Sequence, residues 1–166
     1  MREMKMKIVA AWNEFLNNPD GDVSDIRSEI LDSWRRSRSY VGDSYSTRKV
    51  VLSPEMLAER IKKNQQLYDT SIPFMESLHE FVKGSGFLVI LSDKEGYVLK
   101  VMGDRSVLDA AANNLLVEGA SRGEESFGTN GIGTCIYLNR PLHVCADEHY
   151  YNPHNMSTCS ASPLYA

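Results

Sequence analysis

Gly86-Phe87-Leu88-Val89-Ile90-Leu91-Ser92-Asp93-Lys94-Glu95-Gly96-Tyr97-Val98-Leu99-Lys100-Val101 is where the chain changes character. Phe87 to Leu91 is an apolar run of strand length, Ser92 to Gly96 is turn chemistry, and Tyr97 to Val101 is a second run. Short apolar runs bounded by Gly, Asp and Ser read as an antiparallel hairpin, here with one strand buried on both faces.

The chain before this hairpin is helical in pattern. Residues 3–17 place Met4, Ile8, Trp12 and Phe15, with Leu16, on one face at spacings of three and four. Asn17-Asn18-Pro19-Asp20-Gly21 ends that helix. A second helix is predicted over 23–38, capped by Asp22 or Ser24, with Ile26, Ile30 and Trp34 as its stripe. Arg35, Arg36 and Arg38 form a small basic cluster at its end, where solvated cations complement the helix dipole. Residues 39–52 lose the period and read as a loop, with a short extended piece at Lys49 to Leu52. Ser53-Pro54-Glu55 then starts a helix whose stripe is Leu57, Ile61, Asn64 and Tyr68. Pro73 is expected to kink or restart it, and Phe74, Met75, Leu78, Phe81 and Val82 carry the apolar face to a stop at Gly84-Ser85-Gly86.

After the hairpin, Asp104 is placed to cap a helix running to about Val117, with Val107, Leu108, Ala111, Leu115 and Leu116 inward. A glycine-rich loop covers Gly119 to Gly133. Thr134 to Leu138 and Leu142 to Ala146 read as a second hairpin around Asn139-Arg140-Pro141. Asp147 to Thr158 is polar loop, and Cys159 to Leu164 begins another strand. The order defines an α+β fold, an antiparallel sheet with flanking helices preceded by an N-terminal helical bundle. The expected division is a helical lead-in over 1–52 and a sheet-bearing domain over 53–166.

The chain has 166 residues, 42% hydrophobic and 24% charged, which excludes a disordered tail, a collagen and a coiled-coil rod. Net charge is −4, unevenly spread: residues 1–63 hold 12 basic and 10 acidic side chains, and residues 64–166 hold 6 and 12. The acidic second half is a poor surface for nucleic acid. The start, Met1 to Lys7, has a basic region but no adequate apolar run behind it, so no secretory signal is read. The expected compartment is the cytoplasm, with Cys135, Cys145 and Cys159 reduced.

Gly128-Thr129-Asn130-Gly131-Ile132-Gly133-Thr134 is the most unusual stretch. It lacks the lysine of a phosphate-binding P-loop, and with a strand expected after it, it does not fit a dinucleotide fingerprint. Taken alone it reads as a tight loop in which Thr129 and Asn130 bond local backbone. The spacing of Cys145 and His149 is compatible with two ligands, but with Cys159, His143 and His154 nearby no second CxxC or HxxxH pair exists, so neither a metal nor a cofactor is expected. Cys159 with His149 and Asp147 names a Cys/His/Asp set, but nothing local activates the thiol. Glu124-Glu125-Ser126-Phe127-Gly128 lacks the glycine frame of a nucleophile elbow, and an enzyme is not expected.

Several segments taken in order resemble a known family. Ser33-Trp34-Arg35-Arg36-Ser37 resembles an SWxRS signature, Gly128 to Thr134 a GTNAIGT loop with Glu124 at the preceding acidic position, and Pro141 the proline of the next hairpin. Glu148-His149-Tyr150 resembles an EHF/EHY step, and Cys159 to Leu164 a CSAAPI strand. Together they resemble the N-terminal sensory region, a helical lead-in and a GAF domain, of sigma-54-dependent transcriptional activators of the acetoin and dihydroxyacetone regulator type. Gly131 stands where alanine is usual, and Arg122 where tryptophan is common.

The resemblance implies a signal-sensing domain without catalysis. It binds a small organic metabolite and controls ATPase and helix-turn-helix domains that this chain lacks. It also implies that the final strands of the sheet lie beyond Ala166. The ligand-contacting residues it points to are Phe87, Val89, Leu115, Thr129, Asn130, Thr134, His149 and Cys159, residue types that equally suit core or loop scaffold. The alternative is a protein-interaction module without a small ligand. A homodimer is expected, through the amphipathic helices at 3–17 and 53–82 or through a sheet edge left open near Cys159 to Ala166, unless that segment is poorly ordered. No direct nucleic-acid contact and no membrane contact are expected.

Overall fold

The computed structural model describes residues 2–42, 50–150 and 157–165. The side chain of Met4, the extended piece at Lys49 and the loop residue His154 lie outside the described residues. The chain forms two compact units that interleave in sequence, one drawn from residues 1–48 and 122–163, the other from 49–121 and 164–166.

In the first unit, α1 (Arg2–Asn17) and α2 (Ser28–Val41) are the two N-terminal helices. Their apolar stripes meet: Ile8, Trp12, Phe15, Ile30 and Trp34 are buried in one cluster with Leu142, Val144 and Tyr150. Trp12 stands edge-on to Trp34 at 4.8 Å and to Tyr150 at 5.2 Å, the T-shaped geometry that aligns a ring edge with a π face. Helix α2 starts later than predicted. Its N-cap is Arg27, whose guanidinium has no acceptor to offer the first helical amides and donates to Glu148.

The same unit holds α6 (Glu124–Phe127), α7 (Gly131–Leu138), β3 (Leu142–Cys145), a single 3-10 turn (Ala146–Glu148) and β4 (Thr158–Ala161). Here the hairpin expected at Thr134 to Leu138 is corrected: that segment is helix. Asn130 caps it, its Oδ1 accepting from Ile132 N and Gly133 N, and Asn139 closes it in the left-handed region. Caps at both ends override the strand preference of Ile and Tyr. The partner of β3 is β4, antiparallel in the register Leu142↔Ala161 to Cys145↔Thr158.

In the second unit, Ser53 caps α3 (Pro54–Lys63) through Met56 N, as the sequence predicts. The helix breaks at Asn64, and α4 (Gln65–Val82) runs unbroken through Pro73. Proline removes only one ladder bond, whereas Asn64 returns its own Nδ2 to Arg60 O at 2.9 Å and competes with the helix there. Gly84 and Gly86 adopt positive φ after α4. The opening stretch forms β1 (Leu88–Ser92) and β2 (Val98–Gly103), antiparallel. Neither strand is buried throughout: Leu91, Val98 and Leu99 are buried and the rest are partly covered, so the strand expected to be buried on both faces is corrected. Asp104 precedes α5 (Arg105–Asn113) but its carboxylate accepts from Gly84 N, and the helix stops short of Val117. Val51 bridges Ala120, and Tyr97 bridges Ser121. Met75, Leu91 and Leu99 form the core, with Leu57, Ile61, Tyr68 and Val89 packed around it. Among the described residues each unit carries one two-stranded antiparallel ladder. No helix among the described residues is long and apolar enough to cross a membrane.

Candidate functional site

Helix α2 presents Ser33 and Ser37 one turn apart on its buried side. Both face the glycine loop. Ser33 Oγ donates to Glu124 Oε1 and lies 2.7 Å from Thr129 Oγ1 and 3.2 Å from Thr134 Oγ1. Ser37 Oγ lies 3.0 Å from Thr129 Oγ1. Arg36 grips the same carboxylate in a fork, Nε to Oε2 at 2.8 Å and Nη2 to Oε1 at 3.0 Å. Burial would lower the Arg36 pKa, but the bonds to Glu124 and its charge outweigh that and raise it. The basic cluster is therefore only partly solvated: Arg36 has an 18% exposed side chain and an internal partner.

A second grip lies at the N-cap of the same helix. Arg27 donates to both oxygens of Glu148, Nε at 3.1 Å and Nη2 at 2.7 Å, and Cys145 N donates to Glu148 Oε2 at 2.7 Å. Trp34 Nε1 donates to the Glu148 carbonyl at 2.7 Å. Two buried carboxylates, Glu124 and Glu148, thus clamp one helix onto the loop and the turn, and each has a bidentate arginine that offsets its desolvation.

The loop is shaped for this contact. Asn130 Nδ2 donates to Arg122 O at 2.9 Å and Gly128 O at 2.8 Å. A Cβ on Gly133 would sit 2.6 Å from Glu124 N and 2.7 Å from Arg122 O, both backbone atoms that cannot yield. Gly128 holds φ +72° beside Tyr150. Arg122, where a tryptophan is common in the resemblance, is 6% exposed with its guanidinium 3.8 Å over the Phe127 ring. Burial pushes its pKa down to about 10, opposed by the Cys159 sulfur.

The eight sequence candidates fall into groups. Thr129, Asn130 and Thr134 come together in the clamp, with Asn130 N donating to Thr134 Oγ1 at 3.2 Å. Cys159 sits against Gly131: a Cβ there would fall 2.6 Å from Cys159 Cβ. Burial pushes its thiol up, so no ready thiolate nucleophile forms there. His149 is buried, its Nδ1 2.8 Å from Ala146 O. Phe87, Val89 and Leu115 belong to the other unit. There Phe87 is exposed, Val89 lies against the core, and Leu115 takes a φ of 56°. Ser33, Ser37, Arg36 and Arg27 are the residues that reasoning on ligand contacts missed; the serine pair at i and i+4 beside a tryptophan was the signal. A groove of about 440 Å³ is lined by Glu29, Asp32, Arg35, Arg36, Tyr137 and Arg140, among others, and none of the eight lines it. Among the described residues no group of three or more His, Cys, Asp or Glu is placed to hold a metal.

The fold is α+β, and its buried carboxylates Glu124 and Glu148 form the clamp; proteins matched over this region carry it as the N-terminal regulatory domain of transcriptional activators. The family model described as MimR, N-terminal domain, matches residues 7–166, and the chain belongs to that family. It is 30% identical over 155 residues to the acetoin dehydrogenase operon transcriptional activator AcoR of Bacillus subtilis, covering 93% of this chain and 26% of that protein. It is 37% identical over 115 residues to a signal-transduction and transcriptional-control protein of Clostridium beijerinckii, covering 69% and 18%. The propane 2-monooxygenase operon transcriptional activator MimR of Mycolicibacterium smegmatis is 28% identical over 156 residues, covering 93% and 26%. The chain spans about a fifth to a quarter of these relatives. Among solved structures, the E. coli DhaR(N)–DhaL complex matches with TM-score 0.67 at 16% identity, over 75% of this chain and 42% of that one, and shares the fold. The resemblance read from the motifs is borne out, and the relatives are transcriptional regulators, not enzymes.

Proposed function

We propose that this chain receives the signal for a sigma-54-dependent transcriptional activator in the cytoplasm. It binds a small organic metabolite and, as a homodimer, controls ATPase and helix-turn-helix domains elsewhere in the full protein, without itself touching DNA or membrane. The observation that carries this reading is the doubly anchored helix α2. Arg36–Glu124 and Arg27–Glu148 tie it to the glycine loop and the Glu148 turn, so a ligand that moves either one acts on the helix. A ligand shifts such an equilibrium only by binding one arrangement more tightly. The names of the relatives, tied to acetoin and propane 2-monooxygenase operons, support a small alcohol, diol or ketone as the signal. In sequence, the chain is read as a helical lead-in over 1–52 followed by a sensory domain over 53–166. Phe87, Val89, Leu115, Thr129, Asn130, Thr134, His149 and Cys159 remain the proposed contacts.

The test is thermal denaturation against a panel of small alcohols, diols and ketones. A true ligand at 100 times its dissociation constant adds about 2.7 kcal/mol, and Val89→Trp or His149→Ala shows which group of residues meets it. A flat response across the panel overturns the metabolite reading. The second reading, a protein-interaction module, is favoured by the structural neighbour, DhaR(N), which is in complex with a protein, DhaL. It expects no response to metabolites and a saturable complex with a protein partner.

A further inference from the structure

The groove beside α2 presents hydrogen-bond donors that no group of the protein accepts from. Two of its residues, Arg36 on α2 and Arg140 just beyond α7, supply them. Glu124 takes Nε and Nη2 of Arg36, which fixes the plane of the guanidinium, and Nη1 has no acceptor among the described residues. That guanidinium lies 3.6 Å from the centre of the exposed Tyr137 ring. Arg140 makes no side-chain hydrogen bond among the described residues and faces Glu29 at 3.7 Å. The acceptors of the groove are already engaged. Glu29 also stands 3.5 Å from Arg27, and Asp32 accepts from Arg35 at 3.3 Å. Charge is balanced: Arg27, Arg35, Arg36 and Arg140 meet Glu29, Asp32, Glu124 and Glu148.

We infer that this groove binds a small monocarboxylate carrying a second oxygen, a hydroxy- or oxo-acid. Arg140 takes the carboxylate, for which a planar guanidinium offers a matching fork. Arg36 Nη1 donates to the hydroxyl or keto oxygen, and Leu138 and the Tyr137 ring line the path of the carbon chain. The charge balance sets the ligand's charge. Open donors call for an acceptor, but with no surplus of positive charge a phosphate or a dicarboxylate meets Glu29 and Asp32 with a second negative charge and is repelled. A neutral alcohol leaves the Arg140 fork unfilled. The volume of about 440 Å³ falls in the range of small-molecule sites, about 300–1,000 Å³. None of the eight proposed contacts lines the groove, so this site is additional to the signal proposed above. It meets the clamp at Arg36. Because Glu124 holds Arg36 in place, the ligand binds the closed clamp more tightly and stabilises it.

Isothermal titration calorimetry on the whole chain tests this, with 4-hydroxybutyrate and 4-oxopentanoate as probes against butyrate, succinate and inorganic phosphate. The two oxygen-bearing acids are expected to bind with a dissociation constant of about 1 mM, within reach of ligands of this size. Butyrate binds at least about threefold more weakly, and succinate and phosphate give no measurable heat. Arg140→Gln weakens the two acids at least about tenfold, and Arg140→Lys, which keeps the charge and loses the fork, falls between. The Arg140 side chain is 53% exposed, so both variants keep the wild-type circular dichroism spectrum. Arg105→Gln, at a 90% exposed side chain in the other unit, leaves binding unchanged. No heat from either acid up to about 20 mM, or binding that survives Arg140→Gln, overturns the site. Butyrate, succinate or phosphate binding as tightly as the oxygen-bearing acids overturns the ligand class. Neutral alcohols, diols and ketones are titrated apart from the acids, so failure of this groove and failure of the proposed signal are told apart.

Discussion

Glu124 shows how a single residue carries a motif. Its carboxylate takes two bonds from Arg36 and one from Ser33, all inside the fold. Breaking one side of such a pair leaves a charge without compensation, so Glu124→Gln is expected to cost about 3 kcal/mol in urea denaturation. Ser33→Ala costs less, about 1–2 kcal/mol, because Arg36 still satisfies the carboxylate. His149 makes a different prediction. Burial lowers its pKa below 6.5, only partly opposed by its bond to Ala146 O and by the charges of Glu148 and Asp147. Above the ordinary value both folded and unfolded states are neutral there and nothing is lost. As pH falls below about 6.5 the unfolded chain takes up a proton that the folded chain refuses, so stability falls. A melting-temperature profile from pH 7.5 to 5.5 is expected to fall, and His149→Gln to flatten that fall. Both motifs were visible in the sequence as residues; that Ser33 and Glu124 touch was not, since 91 positions separate them.

At the scale of elements, α7 is the instructive case. Thr134 to Leu138 is apolar and partly β-branched, and periodicity cannot separate a short buried helix from a strand. The deciding group is Asn130, whose Oδ1 caps two amides while its Nδ2 binds two carbonyls. Asn130→Ala is expected to cost about 2–3 kcal/mol, since cap and donors are both lost. Asn130→Asp keeps the cap and loses the donors, so its denaturation midpoint falls between the two. Helices α1 and α3 were legible because their signals are local: a stripe at spacings of three and four, and the Ser53-Pro54 start. The break at Asn64 in place of Pro73 was not, because a proline inside a helix is tolerated where packing holds the turns on either side, as Met75 and Ile72 do here.

For the whole molecule, the first unit draws on both ends of the chain. Its core needs Trp12, Phe15, Ile30 and Trp34 from the N-terminal helices as much as Leu142, Val144 and Tyr150 from beyond residue 121. A chain of residues 53–166 alone uncovers those three and strips Glu124 and Glu148 of their arginines. It is expected to lose the cooperative melting transition and to bind a hydrophobic dye, where the whole chain does neither. Retained cooperative melting would show that the lead-in is dispensable for folding.

The sequence by itself determined the α+β class, the helices and hairpin set by local periodicity and turn chemistry, and the family, through five short motifs in a fixed order. Only the tertiary structure decided what those motifs do. It brought Ser33-Trp34-Arg35-Arg36-Ser37 onto the glycine loop and the Glu148 turn, and set Thr129 and Thr134, two of the proposed ligand contacts, against Ser33 in the buried clamp. The reason is physical. Capping and periodicity act within a few residues, whereas burial of a carboxylate requires partners that only folding delivers from distant parts of the chain.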